Sequence, residues 1–83
     1  MGKILVGLSV PAINWRSDLF VPTEVPIALL TKVLAKGVAD LSDGRYSVSD
    51  RELLTLREPS LLLHPDKCLQ DYGMQDGAQL ILL

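Results

Sequence analysis

Pro26-Ile27-Ala28-Leu29-Leu30-Thr31-Lys32-Val33-Leu34-Ala35-Lys36-Gly37-Val38-Ala39-Asp40-Leu41 is the stretch on which the fold turns. Pro26 suits the first turn of a helix, where its missing N–H is not needed. After it, Ile27, Leu30, Val33, Leu34, Val38 and Leu41 recur at helical spacing. Ala28, Lys32, Ala35, Lys36 and Ala39 fall on the other face. The spacing predicts one amphipathic helix, with Thr23 available as a cap. It opens at Pro26, because the residue before a proline resists helical geometry, and closes near Asp40. The rest of the chain must supply what this one apolar face packs against.

On the N-terminal side, Ile4, Val6, Leu8 and Val10 alternate with Leu5, Gly7 and Ser9, the period of a strand with one face on a core. Pro11 to Asn14 are turn residues, and Trp15 to Val21 resume in β-favouring types, so Lys3–Val10 and Trp15–Val21 are expected to pair as an antiparallel hairpin. On the C-terminal side, Leu41 to Asp50 is a polar connection with Asp43-Gly44 as a turn signal. Glu52–Arg57 and Leu61–His64 are expected as short strands joined through Glu58-Pro59-Ser60. Asp66–Tyr72 is too short for a stable helix and Gly73 suits a left-handed cap, which predicts a single helical turn. Gln75-Asp76-Gly77 turns the chain into a last strand, Ala78–Leu83. Two strands, a helix, two strands, a helical turn and a final strand give an α+β class: a β-grasp, with a mixed five-stranded sheet packed on one main helix.

Composition narrows the function. Eighty-three residues make one domain, residues 1–83, because so short a chain cannot divide its apolar residues between two cores. Eight Lys and Arg against ten Asp and Glu leave a net charge of −2, the opposite of a nucleic-acid footprint. DNA, RNA and anionic membranes are therefore not expected as partners. Cys68 is the single cysteine, so it forms no internal disulfide, which fits a reducing compartment and a cytoplasmic location. The run Ile4–Val10 contains Gly7 and Ser9 and makes better sense as a strand than as a signal peptide ending near Pro11-Ala12. No stretch reaches the roughly 18 apolar residues of a membrane span. Val6 stands where a myristoylation signal wants Ser or Thr.

No constellation of catalytic residues emerges. His64, Asp66 and Cys68 are close in sequence, but there is no second His or Cys to complete a metal set. Their structural roles suffice: His64 ends a strand, Asp66 turns the chain and Cys68 fills a small apolar gap. No glycine-rich phosphate loop precedes the helix, whose entry is Val25-Pro26. Asp40 with Asp43 and Asp50 with Glu52 are expected as solvated loop carboxylates, and Lys32 with Lys36 as a solvated helix stripe. The expectation is a protein with no cofactor, no metal and no enzymatic activity.

Leu69-Gln70-Asp71-Tyr72-Gly73-Met74-Gln75 resembles the Leu-Ser-Asp-Tyr-Asn-Ile-Gln segment of ubiquitin, and Leu80 and Leu82 match the inward leucines of its last strand. Within that superfamily the chain is similar to the small bacterial YukD/EsaB proteins associated with type VII secretion. Asp18-Leu19-Phe20-Val21-Pro22 followed by Val25-Pro26-Ile27 resembles their strand-to-helix junction. Tyr72-Gly73-Met74-Gln75-Asp76-Gly77 through Ile81-Leu82-Leu83 resembles their closing segment. The resemblance implies an accessory or regulatory role in a type VII secretion system, with cytoplasmic parts of the secretion machinery as protein partners. A general ubiquitin-like adaptor or assembly domain is the alternative. A covalent modifier or sulfur carrier needs a flexible Gly-Gly end. Ile81-Leu82-Leu83 does not supply one, so conjugation is not expected.

In a ubiquitin-like sheet the first, last and third strands are neighbours and the helix covers one face only. If Ile4, Val6, Leu54, Leu56, Leu80 and Leu82 point in, then Leu5, Leu53, Ile81 and Leu83 point out. These four are expected to form one apolar partner-binding patch, rimmed by Thr55 and Arg57. Trp15 is an addition to it, because tryptophan is enriched at binding hot spots. An open apolar face and an edge strand also allow self-association.

Overall fold

The alternating residues Lys3–Val10 form strand β1 in the computed structural model, which describes residues 2–83. Pro11 opens a 3-10 turn, and Asn14 reverses the chain at φ 50°, in the left-handed region that asparagine tolerates. Strand β2, Trp15–Pro22, returns antiparallel to β1, pairing Trp15 with Val10 and Phe20 with Leu5. Helix α1 spans Ile27–Leu41, with Pro26 at its N-cap. Strands β3 (Leu54–Leu56) and β4 (Leu61–Leu62), a 3-10 turn at Leu69–Tyr72 and strand β5 (Ala78–Leu82) follow. The sheet order is β2-β1-β5-β3-β4. β1 and β5 run parallel and every other neighbouring pair antiparallel. This is the mixed five-stranded sheet with one main helix that the element order implies.

β3 and β4 are shorter than their apolar runs suggested, yet the ladder reaches beyond them. Leu53 and Leu83 exchange backbone hydrogen bonds of 3.1 and 2.9 Å, and the Arg57 N–H donates to the Gln79 carbonyl at 2.8 Å. The Leu63 N–H donates to the Leu54 carbonyl at 3.0 Å, which places Leu63 in the core beside β3.

The core lies between the inner sheet face and α1. Val6, Leu8 and Val10 of β1 meet Leu80 and Leu82 of β5 there, with Leu54 of β3 beyond. The buried arc of α1 is Ile27, Leu30, Thr31, Leu34, Ala35 and Val38. This corrects the face expected from hydrophobicity alone. Val33 and Leu41 lie outside the arc, 58% and 61% exposed, whereas Ala35 is fully buried. Thr31 tolerates burial because its hydroxyl donates to the Ile27 carbonyl at 2.7 Å.

Thr23 does not cap the helix. Its hydroxyl donates to the Gly2 carbonyl at 3.2 Å, and the first helical N–H groups are satisfied from across the molecule. Ile27 N–H donates to the Lys67 carbonyl at 2.8 Å and Ala28 N–H to the Pro65 carbonyl at 3.0 Å. The segment 65–67 therefore does the work of a cap.

Candidate functional site

Among the described residues no helix or strand lies over the sheet face opposite α1, and strand pairing decides which side chains share it. Directly opposed residues lie on the same face. One row across the sheet is Phe20 and Leu5, and the next is Asp18, Gly7, Gln79 and Arg57. A third is Arg16, Ser9, Ile81, Thr55 and Leu62, beyond which Leu83 and Leu53 face each other.

The rows bring Leu53, Ile81 and Leu83 together around Thr55, with Arg57 at the margin, as the alternation of β3 and β5 implies. They add Leu62, 56% exposed, which the sequence could not assign because Leu61-Leu62-Leu63 does not alternate. Leu5 is not part of this cluster. It faces Phe20, 71% exposed, on the far side of the row that holds Gln79. The Gln79 side chain lies over Gly7, where an added Cβ would stand 2.5 Å from its Oε1. That Oε1 accepts from Arg16 Nη2 at 2.9 Å, and Nε2 donates to the Gly77 carbonyl at 3.1 Å. A polar bar thus divides the single expected patch into a large apolar cluster and a separate Leu5–Phe20 pair.

Trp15 belongs to neither. It pairs with the inward residue Val10 and packs half-buried against the core, on the helix side of the sheet. The hairpin pairing that puts Phe20 beside Leu5 puts Trp15 inside. The alternation of exposed Arg16, Asp18 and Phe20 with the less exposed Ser17, Leu19 and Val21 is the signal that separates them.

Neither a protein-family model nor a curated protein matches the sequence. Solved structures do match. The ubiquitin-like domain of the Mycobacterium tuberculosis type VII secretion system protein EccD1 superimposes with a TM-score of 0.75 at 20% identity, over 100% of this chain and 99% of that one. The fold is ubiquitin-like. The EccD5 ubiquitin-like domain from Mycobacterium xenopi aligns over 100% of this chain and 94% of its own, with a TM-score of 0.68 and 19% identity. A chain of the ESX-5 inner membrane complex aligns over 98% of this chain and 20% of its own, with a TM-score of 0.71 and 17% identity.

In this ubiquitin-like domain the loop that leads into β3 is organised by one carboxylate. Glu52 Oε2 accepts from the Ser49 N–H, from the Ser49 hydroxyl at 2.9 Å and from the Tyr46 hydroxyl at 2.9 Å. Glu52 is thus a structural acceptor and not merely a solvated charge. Burial disfavours its charged form, but the bonds from Ser49 and Tyr46 together hold its carboxyl below the usual range. Burial first, then the bond to Glu52 and its charge, push the Tyr46 phenol from 10.0 up to about 12.

These shifts predict a pH dependence of opposite sign on the two sides. Tyr46 holds its proton more tightly folded than unfolded, so its contribution is complete below pH 10 and is lost as pH rises towards about 12. Glu52 contributes fully above the ordinary carboxylate range, and that contribution is lost as pH falls through its lowered value. Glu52→Ala is expected to lower stability by about 1–2 kcal/mol near neutrality and to reduce both pH-dependent losses, measured as urea midpoints across pH.

The remaining candidates hold no chemistry that converges. His64 Nδ1 accepts from the Asp66 N–H at 3.1 Å, while Cys68 Sγ lies 3.3 Å from the Glu24 carbonyl, at the edge of the helix entry rather than in an apolar gap. Among the described residues no group of three His, Cys, Asp or Glu side chains is placed to hold a metal ion. Among the described residues no helix is long and apolar enough to cross a membrane. A groove of about 520 Å³ lies beside β5, with Arg57 and Glu58 as its charged groups.

Proposed function

We propose that this chain is a noncovalent protein-interaction domain that serves a bacterial type VII secretion system as an accessory or regulatory component. Its partners on this reading are cytoplasmic parts of the secretion machinery, and it acts in the cytoplasm without catalysis. The observation that carries the interaction role is the apolar cluster of Leu53, Leu62, Ile81 and Leu83 on the uncovered sheet face. Contiguous exposed apolar surface on a small domain marks a contact site. The secretion assignment draws on the ubiquitin-like domains of EccD1 and EccD5 and on the chain of the ESX-5 inner membrane complex. A domain of this fold can bind where such a domain binds, which is an argument from fold analogy. Within this reading the resemblance to YukD/EsaB proteins is the finer assignment.

Affinity purification of the tagged chain from its own cells, under native and denaturing conditions in parallel, tests the proposal. Secretion-system proteins are expected natively and should vanish on denaturation. Higher-mass species that survive denaturation would mean conjugation, and native partners unrelated to secretion would make the chain a general adaptor. Leu53→Asp and Ile81→Asp are each expected to leave the fold intact and weaken partner binding at least about tenfold, since a charge in an apolar contact loses more than about 1.4 kcal/mol. Unchanged affinity in both variants removes the cluster as the contact.

A further inference from the structure

β2 is one of the two outer strands of the sheet, and among the described residues no strand pairs with its outer edge. The bond from Thr23 N–H to the Gly2 carbonyl sets the phase of the β1–β2 ladder. Trp15, Ser17, Leu19 and Val21 turn their backbone groups towards β1, so Arg16, Asp18 and Phe20 turn theirs outward. Among the described residues no hydrogen bond is made by those outward groups. Proteins blunt such edges with lysine, proline, bulges or a covering segment. Here Pro22 stops the edge at one end, and between Arg16 and Phe20 no proline or bulge interrupts it, the two charges there, Arg16 and Asp18, being of opposite sign.

We propose that this edge pairs with the same edge of a second copy, β2 to β2 and antiparallel about Ser17, so that two sheets become one continuous sheet. The side chains select this register. It sets Arg16 of each copy opposite Asp18 of the other on the outer face, giving two cross-strand ion pairs. Both residues direct their backbone groups outward, so each facing pair also exchanges two backbone hydrogen bonds. Sliding the strands to bring Asp18 opposite Asp18 would place like charges together. Asp18 is available, since among the described residues it forms no ion pair. Arg16 gives Nη2 to Gln79, which leaves its other nitrogens for the facing carboxylate.

The inner face agrees with the same register. Trp15 falls opposite Leu19 at both ends, and both residues are half-buried and apolar in the single chain. Above them runs the row Leu29, Val33, Gly37 and Leu41 of α1, spaced by four. Ala28, Thr31 and Lys32 line a cleft against Leu53, Leu54 and Leu63, so this row lies on the opposite flank of the helix, towards β2. Leu29, Val33 and Leu41 are exposed, and a Cβ built on Gly37 meets nothing within 4 Å. An apolar flank therefore follows the open edge, where a continued sheet would cover it. This inference does not depend on the secretion reading.

Charge exchange between copies tests it. The mass of the wild-type chain in sedimentation equilibrium is expected to rise with concentration to that of two chains, with a blue shift in emission from Trp15, the single tryptophan. Arg16→Asp and Asp18→Arg should each raise the dissociation constant by about tenfold or more, because like charges then face each other at two places. An equimolar mixture of the two variants, and the double variant R16D/D18R, should each recover association; that recovery also shows that the variants fold. A wild-type chain that stays single at all concentrations overturns the proposal and leaves the edge for an extended segment of another protein. So does a dimer indifferent to both single reversals, or a loss that neither the mixture nor the double variant restores.

Discussion

Leu80→Ala is expected to lower the unfolding free energy by about 3–5 kcal/mol, while Ile81→Ala, one residue away, lowers it by less than about 1 kcal/mol. Leu80 is 0% exposed and sits in the middle strand, opposite Leu8 of β1 and Leu56 of β3. Truncation there opens a cavity walled by hydrogen-bonded strands, which cannot close on it as a loop would. Domains of this size are stable by only about 5–15 kcal/mol, so the variant should unfold at much lower denaturant. Ile81 lies on the uncovered face, where solvent replaces the lost methylenes and no void forms. Urea unfolding of the two variants measures the contrast. Equal losses would mean that β5 does not present alternate residues to opposite faces, and the partner surface built on Ile81 would fall with that assignment.

The same alternation explains how much of the molecule can be read without coordinates. β1 and the helix are legible almost to the residue, because Ile4-Val6-Leu8-Val10 keeps a strict period of two and Ile27 to Leu41 a period near 3.6. Leu53, Ile81 and Leu83 are legible as outward residues for that reason. What stays hidden depends on partners distant in sequence. Trp15 is inward because Val10 is, and Phe20 outward because Leu5 is, which only the register of the hairpin supplies. Gln79 becomes a divider because it crosses Gly7 in a parallel pairing of residues far apart in the chain. Glu52 looks like any loop carboxylate until Tyr46 and Ser49 are found bonded to it. Val33 and Leu41 are apolar yet exposed, so a hydrophobicity pattern counts them into the core. On this reading their exposure belongs with the edge of β2.

Leu69→Ala is expected to be nearly as damaging as Leu80→Ala, at about 3–4 kcal/mol, although Leu69 lies in a single 3-10 turn and in no strand. Leu69 is 0% exposed and is the one buried residue of that turn. Its anchoring has a consequence at the entry of the helix. The turn is held to the rest of the protein by Gln70 N–H donating to the Thr23 carbonyl at 3.0 Å and by Cys68 bridging to Pro26. The Lys67 and Pro65 carbonyls just before it receive the first N–H groups of α1, which has no side-chain cap of its own. Releasing Leu69 therefore loosens the strap that terminates the helix. Amide exchange at Ile27 and Ala28 should accelerate more than at Leu34 or Val38, where the helix supplies its own acceptors. Asp71→Ala is the control: it removes only the carboxylate that accepts from Cys68 N–H at 2.8 Å, and is expected to lower stability by about 1 kcal/mol. If Leu69→Ala speeds exchange uniformly along α1, its cost is cavity alone and the segment 65–67 is not what holds the helix entry. If Ile27 and Ala28 lead, a ubiquitin-like helix without a capping side chain is being terminated by a strap pinned through one leucine.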